Sequence, residues 1–67
     1  MKIKFLKNVT VDITTDDAND LYDRLYHRND IIECDIVPIS KGFSALHLPN
    51  NEYVVDVKND CFEKLLV

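Results

Sequence analysis

Four side chains in this sequence have the chemistry to hold a transition metal: His27, Cys34, His47 and Cys61. Zinc takes nitrogen or sulfur ligands in a tetrahedron, and chains that build such sites usually supply them as closely spaced pairs. No two of these four form a C-x2-C or H-x3-H pair, so the spacing favours core cysteines and surface histidines. A cysteine nucleophile needs an adjacent base and a lowered pKa. Cys34 stands between Glu33 and Asp35, and Cys61 follows Asp60. Negative neighbours raise a thiol's pKa, which is the wrong direction for a nucleophile. No constellation in the chain amounts to an enzyme signature, and no metal or cofactor is expected.

The acids carry more. Residues 8–23 hold no Lys or Arg but include Asp16, Asp17, Asp20 and Asp23. A calcium loop of the common type needs ligands at set positions and a central glycine, which this stretch lacks. What remains is a solvated loop or an acidic patch that docks on a basic partner. Tyr22, Tyr26, Phe43 and Tyr53 have faces on which bases stack, but stacking platforms work beside basic grooves. Here Arg24 and Arg28 are diluted by acids, so core packing is the simpler use of the rings. The candidate partner-binding set is therefore Asp16, Asp17, Asp20, Tyr22, Asp23, Arg24 and Tyr26.

The whole chain sets bounds on these readings. It has 67 residues, 46% of them hydrophobic and 30% charged, which is one folded domain. Its 12 acids against 8 bases give a formal charge of -4. That balance disfavours a general grip on nucleic-acid phosphates, which needs clustered Lys and Arg. The basic N-terminus is followed by no apolar run long enough for a signal peptide, and nothing approaches the ~20 apolar residues of a membrane span. The expected setting is cytoplasmic, with Cys34 and Cys61 reduced rather than paired.

The elements that must position these residues read mostly as strands. Ile3 and Phe5 alternate with Lys2 and Lys4, and Val9, Val11 and Ile13 with Thr10, Asp12 and Thr14. Asn8, between the two runs, predicts a bulge or bend in one long strand. Ile32, Cys34 and Ile36 alternate with Glu33 and Asp35, with Pro38 ending that strand or lying on an edge. Gly42, the sole glycine, marks a hairpin needing positive φ. Ser44, Leu46 and Leu48 share one parity. After a turn at Pro49-Asn50-Asn51 come Tyr53, Val55 and Val57, opposed by Val54 and Asp56. Residues 58–60 suit a single 3₁₀ turn, and Phe62 to Val67 a closing strand. The stretch 16–28 is ambiguous. Leu21, Tyr22, Leu25 and Tyr26 fall on one face of a helix that Thr15 would cap. As a strand, Tyr22, Arg24 and Tyr26 take one face, and Leu21 and Leu25 the other.

The expected fold is mostly β: a small SH3-like barrel of five or six antiparallel strands, or an α+β variant with one short helix at about 16–28. The string Lys2 to Asp12, Asn29-Asp30-Ile31-Ile32-Glu33, Gly42-Phe43 and Val55 to Glu63 resembles small phage-encoded proteins of unassigned role with SH3-like barrels. Asn29 stands where that pattern has glycine, and Asn tolerates the left-handed conformation. The resemblance carries no catalytic residue. It implies a non-enzymatic module that binds a host or phage protein. A nucleic-acid-binding barrel and a structural component of a virion are the alternatives.

Overall fold

Period-two alternation sets the inside and outside of this molecule. In the computed structural model, which describes residues 1–15 and 21–66, eight strands form. They are β1 (Lys2–Phe5), β2 (Val9–Thr15), β3 (Leu21–Tyr26), β4 (Ile31–Glu33), β5 (Asp35–Ser40), β6 (Phe43–Leu48), β7 (Glu52–Lys58) and β8 (Phe62–Leu65). They make two antiparallel sheets, a three-stranded one ordered β4-β1-β8 and a five-stranded one ordered β3-β2-β7-β6-β5. Bends split two long stretches: residues 6–8 part β1 from β2, and Cys34 parts β4 from β5. No ladder among the described residues joins the sheet edges, so the expected closed barrel is two sheets facing one core.

The chain passes between the sheets at residues 6–8, 27–30, 34 and 59–61. Side chains and backbone hold these passages. The Asn8 side-chain oxygen accepts from the Arg28 N–H at 2.8 Å. The Leu6 N–H donates to the Cys61 carbonyl at 2.8 Å, and Asn29 N–H to the Phe5 carbonyl at 2.8 Å. Asn29 has φ 75° and Gly42 φ 83°, so both positions use the left-handed region as anticipated. A 3₁₀ turn, Asn59–Cys61, leads into β8. Pro38 does not end β5. It lies on the edge strand of the five-stranded sheet, where the register shifts between Pro38 and Ser40.

Two points left open or read otherwise in the sequence are decided by pairing. Of the two readings of residues 21–26, the strand is the one that forms. All six pair in register with β2, from Thr14 opposite Leu21 to Val9 opposite Tyr26. A helix would have had to bury Leu21, Leu25 and Tyr26 together. Instead only Tyr26 is buried, while Leu21 and Leu25 are 67% and 51% exposed. Residues 16–20 lie outside the described residues. The second point is in β7. Ser44 opposes Val57 but Leu46 opposes Val54, so β7 carries one extra residue there, a bulge. It turns Val54 and Val57 both inward and leaves Val55 out, against simple alternation.

Ile3 and Phe5 from one sheet meet Val11, Ile13, Leu46 and Val54 from the other. Phe5 stacks on Tyr26 with centroids 4.5 Å apart and planes at 9°. Leu46, fully buried, stands opposite both Ile36 and Val54. Leu46→Ala is expected to lower the unfolding free energy by about 2–5 kcal/mol, read as a fall in the urea midpoint with an unchanged slope.

Candidate functional site

Strand alternation divides the candidate partner-binding residues between two faces. Directly opposed residues of an antiparallel pair share a face. Tyr22, Arg24 and Tyr26 oppose Ile13, Val11 and Val9, which turn toward the core. Asp23 opposes Asp12 and turns outward. Asp16, Asp17 and Asp20 lie outside the described residues. Tyr26 is buried against Phe5 and offers no binding surface.

Arg24 and Tyr22 serve the fold through a residue the sequence reading passed over. Glu52, at the start of β7, accepts from Arg24 at 3.1 Å on Oε1 and 2.9 Å on Oε2. The Tyr22 hydroxyl also donates to Glu52, and the Arg24 guanidinium lies 5.7 Å from the Tyr22 ring centroid. Bidentate guanidinium–carboxylate pairs are among the stronger charged hydrogen bonds. These bonds from Arg24 and Tyr22 hold the Glu52 carboxyl below its usual range. The bond to Glu52 raises the Tyr22 hydroxyl. The cluster ties edge strand β3 to β7 across β2, at the rim of the core.

The metal candidates are spread out. Cys34 and Cys61 are buried free thiols. Burial pushes both pKa values up, with Glu33 and Asp35 adding to the effect at Cys34. His27 Nδ1 lies 3.8 Å from Asp30 Oδ2 on the surface. His47 stacks on Tyr53 at 4.6 Å. Among the described residues, no three His, Cys, Asp or Glu side chains are grouped to hold a metal. No helix there is long and apolar enough to cross a membrane.

The outward face of the five-stranded sheet is different in kind. One row crosses every strand: Leu21, Thr14, Tyr53, His47 and Asp35. Beside it Asp23 opposes Asp12 on β3 and β2, and Val37 opposes Ala45 on β5 and β6. Leu21, Leu25, Val37 and Val55 are all large apolar side chains at least 44% exposed. In their midst Asp12 has its pKa raised, first by sharing a hydrogen bond with Asp23, then by partial desolvation and the charges of Asp23 and Asp56. Among the described residues no lysine or arginine pairs with Asp12, Asp23 or Asp56. The three-stranded sheet contrasts with this. Its outward Lys4 pairs with Glu63 across β8 at 3.4 Å, and the Met1 ammonium with Glu33 at 3.1 Å.

Like charges directly opposed across strands destabilise a sheet. Asp12 was visible in the sequence as an outward residue of β2, but its partner Asp23 comes only from the β2–β3 register. Val55 was hidden by the bulge. Comparison with known protein families, curated sequences and solved structures finds no match.

Because Asp12 binds its proton more tightly in the folded chain, its contribution favours folding at low pH and is lost as pH rises through its folded pKa. Asp12→Asn is therefore expected to raise the thermal midpoint at pH 7. The gain should fade as the pH drops below the ordinary carboxylate range, where both chains are neutral at this position. Midpoints followed by circular dichroism between pH 3 and pH 7 check this.

Proposed function

We propose that this chain is a non-enzymatic protein-interaction module whose outward five-stranded face docks on a partner protein. The observation that carries the reading is the Asp12–Asp23 opposition amid exposed Leu21, Leu25 and Val55. A local rule of sheet stability is broken there, and among the described residues no cation pairs with either acid. Such breaches concentrate at functional sites, where a partner rather than the fold supplies the compensation. The exposed apolar side chains on the same face point the same way. A partner with Lys or Arg between apolar side chains complements both properties.

The resemblance to small phage-encoded proteins supports a more specific version. In that version the chain is a phage accessory protein acting in the host cytoplasm on a host or phage protein, with Cys34 and Cys61 as thiols. Nucleic acid suits this face poorly, because its acids repel phosphate.

Capture from host lysate tests the reading. Asp23→Lys replaces a repulsion opposite Asp12 with an attraction, so it leaves the fold no weaker while reversing the surface charge. Leu25→Asp removes apolar area at an exposed position. Either change is expected to cut recovery of the wild-type partner by about tenfold or more, while Lys4→Gln on the other sheet leaves it unchanged. A partner recovered equally by all chains, or none recovered by any, contradicts the reading.

A further inference from the structure

The row that crosses the five-stranded sheet ends in a pocket. The bend at Cys34 and the turn Pro49–Asn51 flank an open surface hollow of ≈ 350 Å³, lined by Met1, Glu33, Asp35, His47, Asn50 and Asn51 among others. That volume falls in the range of ligand and side-chain pockets, roughly 300–1,000 Å³.

Its walls have a definite chemistry. Asp35 stands directly opposite His47 in the β5–β6 ladder. His47 is the aromatic ring in the lining, and its stack on Tyr53, with planes at 9° and centroids 4.6 Å apart, holds that ring in place. Of the two carboxylates, Glu33 is engaged by the Met1 ammonium at 3.1 Å. Asp35 has no ion-pair partner among the described residues. At the rim Asn50 and Asn51 both hold left-handed backbone, φ 66° and 60°. Asparagine tolerates that region, so the turn keeps this shape without glycine.

A carboxylate beside a flat aromatic wall suits a planar cation. An arginine guanidinium pairs with a carboxylate through two parallel N–H donors and stacks on a ring face. A lysine ammonium is a compact, strongly hydrated point charge that uses only the carboxylate. The Met1 ammonium, which also lines the pocket, is already held by Glu33, and an anion would still meet Asp35. We infer that this pocket takes the guanidinium of an arginine side chain presented by the partner that covers the sheet. This rests on the proposed role of the outward face, because the row from Leu21 to Asp35 leads from that face into the pocket.

Titration of ¹⁵N-labelled full-length chain with N-acetyl-arginine amide tests the inference, with N-acetyl-lysine amide in parallel. The expected result is saturable amide shifts confined to Asp35, His47, Asn50 and Asn51. Lysine should bind about fivefold or more weakly. Asp35→Asn, an exposed position, should abolish the response while leaving the rest of the spectrum in place. Absent or scattered shifts, an equal response to lysine, or a response retained by Asp35→Asn overturns the pocket. In lysate capture, Asp35→Asn recovering the partner like wild type, while Asp23→Lys and Leu25→Asp lose it, overturns the pocket and leaves the face standing. Face variants that capture normally overturn the face, and the arginine titration still decides the pocket.

Discussion

Both sheets depend on a single shared core, and the stack of Phe5 on Tyr26 joins them across it. Phe5 belongs to the three-stranded sheet and Tyr26 to the edge strand of the five-stranded one. A chain of 67 residues buries only about 60% of the surface it exposes when unfolded. Each sheet therefore spends its inward face on that core, and the chain crosses between sheets at short bends to keep both inward faces filled. A consequence is that the outward faces are not needed for packing. They are available to carry something else.

The two outward faces have been used differently. On the small sheet, cations and carboxylates alternate and find one another, as Lys4 does with Glu63. On the large sheet Arg24, the arginine within β3, turns to the inner side and pairs with Glu52. That leaves Asp12, Asp23 and Asp56 facing out among leucine and valine, with no ion pair to any of them among the described residues. The same alternation that puts Arg24 at the rim of the core puts Asp23 on the exposed face one residue earlier. The residues that hold the fold and those of the proposed docking face are thus separated by parity along a single strand.

Much of this fold was legible in local patterns. Val9, Val11 and Ile13 alternate without ambiguity, and they form β2. Gly42 and Asn29 take the left-handed conformations their positions demanded. Residues 21–26 were not legible, because Leu21, Tyr22, Leu25 and Tyr26 satisfy helix and strand periods equally. The choice was made by pairing with β2, a contact between segments rather than a property of either one. The β7 bulge was hidden for a similar reason: Tyr53, Val55 and Val57 alternate cleanly, and only the ladder with β6 shows where the extra residue enters. The candidate site suffered likewise. Its seven residues were adjacent in sequence, whereas the face that the structure presents is assembled from all five strands of the sheet.

The account stands or falls on whether the outward acids oppose one another in the folded chain at their own cost. Carboxyl-carbon NMR of the aspartates across the acid range reads this directly. The account predicts that Asp12 titrates above the ordinary aspartate value, and that it returns toward that value when Asp23 is replaced by asparagine. An Asp12 that titrates at the ordinary value in the unaltered chain would contradict it.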